Sequence, residues 1–175
     1  MKNLYLLVAA ATVAAVLSAC QSTPEEAPRA TAALQPTKGS KAFGEATFEQ
    51  VGNKVRVIVF AQGLKPDADH GFHIHEAGDC SSGDGMSAKG HFNPHGKPHG
   101  DPKSAERHAG DLPALKAGKD GRAKVDVEMD VITLTSGPAN IVGKGLIIHA
   151  DPDDYQTQPT GNAGARSACA IIQRS

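Results

Sequence analysis

Arg122-Ala123-Lys124-Val125-Asp126-Val127-Glu128-Met129-Asp130-Val131-Ile132 alternates between apolar and charged side chains along most of its length. Successive side chains of a β-strand point to opposite faces, so Val125, Val127, Met129 and Val131 share one face and Lys124, Asp126, Glu128 and Asp130 the other. This is the pattern of a half-buried strand, and Asp120-Gly121 just before it is a turn signal. Val55, Val57 and Val59 repeat the pattern against Lys54, Arg56 and Ile58. Further strands are expected at about 42–50, 70–76, 145–150 and 166–173. Nineteen glycines and 11 prolines punctuate the chain, and beyond the N-terminus no segment carries a long apolar stripe at helical period. The class is therefore all-β, with short strands and turns that suggest a sandwich or barrel.

The N-terminus reads differently. Lys2, an apolar run from Leu4 to Leu17, and Leu17-Ser18-Ala19-Cys20 have the layout of a secretory signal peptide over residues 1–19. The run is too short for a membrane-spanning helix, which needs roughly 18 or more apolar residues. The box ending at Cys20 also resembles a bacterial lipoprotein processing site, in which that cysteine becomes the lipid-modified first residue. Cleavage by the ordinary signal peptidase, leaving Cys20 as a spare thiol, is the alternative. By the same resemblance, Gln21 after Cys20 favours the outer membrane over the inner one. Residues 20–40 are rich in Pro, Ala, Ser and Thr and are expected to be a flexible tether to a folded domain at 41–175. Loss of residues 1–19 leaves 17 basic against 19 acidic side chains. There is no basic block with interleaved aromatics, so the footprint of a nucleic-acid binder is missing. No apolar stripe decides between a monomer and a homodimer.

The chemistry sits in clusters of histidine. In Gly71-Phe72-His73-Ile74-His75-Glu76 the two histidines are spaced i, i+2 and point the same way in an extended segment, so both can grip one metal. Gly90-His91-Phe92-Asn93-Pro94, Glu106-Arg107-His108-Ala109-Gly110-Asp111 and Ile147-Ile148-His149-Ala150-Asp151 follow. Imidazole suits copper and zinc, and one carboxylate among histidines is compatible with tetrahedral zinc. These four clusters, with Gly161-Asn162-Ala163-Gly164-Ala165-Arg166-Ser167-Ala168-Cys169-Ala170 near the end, resemble the copper/zinc superoxide dismutases over residues 41–175. The separations fit as well as the residue types: eight residues from His91 to His99, nine from His99 to His108, three more to Asp111. That spacing selects His99 over His95, which is expected in solvent, and leaves His70 as a strand-end residue.

The resemblance implies a flattened eight-stranded Greek-key β-barrel or sandwich, immunoglobulin-like, with long loops at about 77–113 and 150–165. It implies copper on His73, His75, His91 and His149, and zinc on His91, His99, His108 and Asp111, with His91 shared. It implies that Asp153 hydrogen-bonds one ligand of each metal, here His75 and His99. Cys80 and Cys169 form an even pair in a chain with an export signal, and a disulfide is expected; the resemblance assigns the same pair. The implied activity is dismutation of superoxide to dioxygen and hydrogen peroxide, with His91 carrying a proton and Arg166 holding the anion, in antioxidant defence of the cell envelope. The implied location is the periplasm, with Cys20 anchored in the outer membrane. No lysine lies between His149 and Arg166, where eukaryotic members carry an acid-lysine cluster, so Lys89 is the candidate for steering the substrate. A silent metal store and a structural envelope module are the other classes. Neither requires an arginine that holds an anion beside a complete ligand set.

Overall fold

The computed structural model describes residues 26–175, so the expected signal peptide, Cys20 and the first residues of the tether lie outside the described residues. Among the described residues ten strands follow one another, with a single 3-10 turn at Met86–Ala88. They are β1 (Arg29–Pro36), β2 (Phe43–Val51), β3 (Lys54–Gln62), β4 (Asp69–His70), β5 (Phe72–His75), β6 (Leu115–Lys116), β7 (Ala123–Met129), β8 (Gly145–His149), β9 (Arg166–Ile171) and β10 (Gln173–Arg174). One eight-stranded antiparallel sheet runs β5-β8-β9-β1-β2-β3-β7, with β10 also paired to β1, and β4 and β6 form a separate ribbon. The sheet curls into a half-barrel whose two end strands, β5 and β7, do not pair with each other. The class is all-β, as the alternation predicts.

Residue pattern explains the curl's inner face. In β3, Val55, Val57 and Val59 are fully buried while Lys54 and Arg56 are exposed. In β7, Met129 is buried and Val125 and Val127 half-buried, with Lys124, Asp126 and Glu128 outside. The outer charges pair across the sheet, Arg56 with Asp126 at 2.8 Å and Lys54 with Glu128 at 3.2 Å. Such exposed pairs add little stability. Phe48, Leu34, Leu134, Ile141, Leu146 and Ile172, each at most 1% exposed, fill the core that the sheet wraps. Full burial of one such side chain stabilises by roughly 1.5–3 kcal/mol.

The domain boundary needs correction. Residues 29–36, expected within the tether, form β1, which lies in the middle of the sheet between β2 and β9. Ala30, Ala32 and Leu34 point inward and are at most 3% exposed, and Arg29, Thr31, Ala33 and Gln35 point outward. The period of two is present, but alanine carries so little apolar area that it does not stand out from a Pro/Ala/Thr-rich stretch. The folded domain therefore starts by Arg29. The two expected long loops are real: residues 76–114 hold only the 3-10 turn and the isolated bridge residues His91 and Asp111, and 150–165 hold no strand.

Candidate metal centre

Backbone geometry fixes the ligands before any metal is considered. In β5, Phe72 and Ile74 face the core while His73 and His75 face the other way, and both histidines are fully buried. Three remote segments then close a ring of backbone bonds. Ile74 N–H donates to the Gly110 carbonyl at 2.9 Å, Gly110 N–H to Phe92 at 2.9 Å, and Phe92 N–H to Ile74 at 2.8 Å. This ring places His73 opposite Asp111 and His75 opposite His91. It requires Gly110, since a Cβ there would collide with the Ile74 carbonyl oxygen. On the other side of β5, β8 supplies His149, and its register against β9 shifts between Ile148 and His149. A bulge of this kind re-aims a side chain. It leaves His149 paired directly with Arg166.

Two groups of four buried side chains result. His73, His75, His91 and His149 form one, and His91, His99, His108 and Asp111 the other, with the ligand atoms of each within 4.8 Å of one another. His91 belongs to both through different ring atoms. Its Nδ1 lies 2.9 Å from Asp111 Oδ1 and 3.4 Å from His108 Nδ1. Its Nε2 is buried without a hydrogen-bond partner, as is His73 Nδ1. Buried polar atoms are rarely left unpaired, so two orphan nitrogens aimed into one group of histidines fit a cation there. In the second group, His99 Nδ1 is 3.0 Å and His108 Nδ1 3.4 Å from Asp111 Oδ1. Tetrahedral zinc with bonds of about 2.0–2.1 Å has edges of about 3.3 Å, close to these separations.

The remaining ring nitrogens are tied down, which aims the free ones. His75 Nδ1–H donates to the Lys89 carbonyl at 2.8 Å. Its Nε2 comes within 3.4 Å of His149 Nε2, and the far side of His149 faces the Gly164 carbonyl at 3.3 Å. Asp153 accepts from His73 Nε2 at 2.7 Å and from His99 Nε2 at 2.9 Å. In the first group the partner of Asp153 is thus His73 and not the expected His75. His75 turns its other nitrogen away, to the Lys89 carbonyl. Backbone donors hold Asp111 Oδ2, His108 N–H at 2.9 Å and Gly100 N–H at 3.1 Å.

Electrostatics separates the two sides. Burial pushes His91 down to about 4 and His149 down to about 3, and lowers His75 well below the ordinary histidine value. These rings stay neutral near pH 7 and keep lone pairs for a metal. Burial also opposes charge on His99, but its bonds to Asp111 and Asp153 outweigh that and raise it to about 9. Both carboxyls resist burial's upward push and are held below the usual range by their histidine partners.

Arg166 donates to the carbonyls of Gly85 and Lys89, and its charge contributes to lowering His75 and His149. It therefore stands beside the first group. Cys80 and Cys169 are joined, with Cα atoms 5.9 Å apart, which pins the loop bearing Gly85 and Lys89 to β9. His95 is exposed. His70 ends β4 as expected, but it is buried and its Nδ1–H donates to the His149 carbonyl at 2.8 Å. Gly110 and Gln158 were not singled out in the sequence. Gln158 sits in a polar stretch with no metal-ligating type, and its contacts are to backbone.

An all-β scaffold carrying two buried ligand groups that share one histidine defines a binuclear metalloprotein. The family model described as copper/zinc superoxide dismutase (SODC) matches residues 42–172. A copper/zinc superoxide dismutase 2 of Aquifex aeolicus (strain VF5) is 41% identical over 149 residues, 83% of this chain and 86% of that protein. A copper/zinc superoxide dismutase of Paramecium bursaria Chlorella virus 1 is 44% identical over 135 residues, 74% of this chain and 71% of that one. The crystal structure of the clock protein EA4 superposes with a TM-score of 0.77 at 38% identity, covering 87% of this chain and 98% of that one. The chain belongs to the copper/zinc superoxide dismutase family.

Proposed function

We propose that this protein converts two superoxide anions and two protons to dioxygen and hydrogen peroxide. Copper is held by His73, His75, His91 and His149, and zinc by His91, His99, His108 and Asp111. The observation that carries this reading is His91, whose two ring nitrogens face two different buried groups. Copper at the first group would supply a one-electron couple, able to accept an electron from one superoxide and give it to the next. Zinc held by those four residues would have no open position, which suits a structural and tuning role.

The chain's own residues do the rest. Arg166 uses two guanidinium contacts to fix its orientation and keeps other N–H donors to hold an anion by charge-assisted bonds. His91 Nε2 holds a proton in one half of the cycle and passes it to the departing peroxide in the other. Its Nδ1 stays with the zinc group throughout. With zinc bound and copper oxidised, His91 would carry neither ring proton, because a dication on each side stabilises the anion; its Nε2 would take up a proton only in the reduced half. Asp153 keeps His73 and His99 in the tautomers that leave Nδ1 free. The test is dismutation by copper- and zinc-loaded protein, with metal-free protein and His149→Ala as controls. Fast activity lost in both controls supports the reading. Tight metal binding without turnover overturns it in favour of a metal store.

The location belongs to the same proposal. Residues 1–19 are an export signal and Cys20 is lipidated, placing the enzyme in the periplasm on the outer membrane for antioxidant defence of the envelope. Lys2, the apolar run Leu4 to Leu17 and the Leu-Ser-Ala-Cys box support it. Incorporation of labelled fatty acid by the wild-type chain and its loss in Cys20→Ala test it. For a homodimer, the neighbouring exposed Phe43 and Phe60 are apolar surface that pairing would draw on, and sedimentation at micromolar concentration reads it directly.

A further inference from the structure

The 150–165 loop holds His99 by its main chain as well as by its ring. Gln158 Oε1 accepts from the His99 N–H at 2.8 Å, and Gln158 Nε2 donates to the His99 carbonyl at 2.9 Å. One side-chain amide thus pairs with both backbone groups of one residue, as a neighbouring strand would. It also donates to the Gln156 carbonyl at 3.3 Å. The same loop's Asp153 holds the ring of His99 at Nε2. With backbone and ring fixed from one loop, little freedom remains for His99 Nδ1, which faces Asp111.

The loop is built to present that amide. Asp154 Oδ1 accepts from the backbone of Gln156 at 2.9 Å and of Thr157 at 2.8 Å, and its Oδ2 from the Thr157 hydroxyl at 2.6 Å. Gly161 N–H closes back onto the Thr157 carbonyl at 2.7 Å, and Asp154 N–H onto Gly161 at 2.9 Å. Gly161 lies against the Asp153–His99 pair, where any Cβ would collide with both. Gln158 itself is exposed, so its contacts serve no core.

We propose that Gln158 is a positioning residue for the zinc group, which sets His99 by clamping its backbone and so joins the loop after His149 to zinc retention. This rests on the zinc assignment above. Gln158 touches neither a metal nor substrate. It acts through His99, and its loss lets the residue swing on a segment, Asn93 to Gly100, that is otherwise strandless. Residues that orient a metal ligand typically change metal affinity by about 10- to 100-fold.

The test uses the full folded protein with Co(II) in the zinc group and copper in the other, comparing wild type with Gln158→Ala and Gln158→Glu. Glutamate keeps the acceptor for the His99 N–H but replaces the amide donor with an oxygen facing the His99 carbonyl. The readouts are the visible Co(II) spectrum and the rate at which a chelator removes cobalt, with copper removal measured alongside. Expected are cobalt loss faster by about tenfold in both variants, an altered Co(II) spectrum, and copper loss unchanged. The melting temperature of the metal-free protein is expected to move little. Cobalt loss within twofold of wild type with an unchanged spectrum overturns the proposal, as does equal acceleration of copper and cobalt loss, which would mark general loosening. If wild type takes up no Co(II) beside copper, the zinc assignment itself fails and this inference with it.

Discussion

His75 and Arg166 share one acceptor: the carbonyl of Lys89 takes the Nδ1–H of His75 at 2.8 Å and a guanidinium N–H of Arg166. A proposed copper ligand and the proposed anion holder are thereby indexed to the same backbone atom. Lys89 sits at φ 64°, a left-handed conformation that costs a lysine energy, and that conformation accompanies this double use of its carbonyl. Arg166→Ala is expected to lower kcat/KM about 10- to 100-fold with metal content unchanged, the worth of one charged hydrogen bond. Activity kept within twofold would remove Arg166 from the mechanism.

The Lys89 side chain is exposed while its carbonyl is engaged, so the two parts separate cleanly. Lys89→Ala is expected to lower the rate several-fold at low ionic strength and to flatten its decline with salt, as loss of a steering charge does. An unchanged rate with an unchanged salt dependence would assign Lys89 a backbone role alone.

The chain starting at residue 38 is expected not to fold, whereas one starting at residue 26 folds. The first lacks β1, which pairs with β2, β9 and β10 and buries Leu34. Leu34→Ala in the longer chain is expected to cost about 2–5 kcal/mol by cavity formation. Chemical denaturation followed by circular dichroism reads both.

Opening the Cys80–Cys169 link is expected to lower stability and to reach the site. The bridge closes a separation of 89 residues, for which chain entropy gives about 4–5 kcal/mol. Cys80→Ser with Cys169→Ser should also free the segment carrying Gly85 and Lys89. Activity at full copper occupancy should then fall more than the stability change explains, measured well below the melting temperature.

Metal-free protein is expected to lose stability as pH falls below about 6.5. His75, His91 and His149 have folded values below the unfolded one, so in that window the unfolded chain binds protons that the native state refuses. Stability is present above 6.5 and is lost as pH falls towards 4. His99 works in the opposite direction, its contribution fading as pH rises towards 9. Near pH 5 His99 is protonated in both states and drops out, so the three depressed histidines leave a net dependence of at least one proton, or about 1.4 kcal/mol per pH unit. Thermal melts between pH 4.5 and 7.5 check it, and a flat profile contradicts it.

How much was legible in the sequence depended on what each residue contributes alone. The strand around Val125 and the strand around Val57 announce themselves, because large apolar side chains alternate with charges. β1 obeys the same period, but two of its three inward residues are alanines. Histidine is rare and its spacing is informative, so every expected ligand lies in its expected group. Asp153 was found by its place after His149, yet its partner was misassigned. Which nitrogen a histidine turns outward depends on a rotamer and on a carbonyl 14 residues away, not on spacing. Gln158 left no signal, since backbone recognition by an amide needs only a fold that brings the two together.

The position of β1 also governs when the molecule can form. Its partners are residues 43–51 on one side and the C-terminal strands β9 and β10 on the other. A chain still emerging from the ribosome has the first partner and lacks the second until residues 166–174 are made. Pairings of such long sequence separation form late and slowly. Closure of the sheet across β1 is therefore the last pairing that synthesis permits, whatever order the rest of the fold takes.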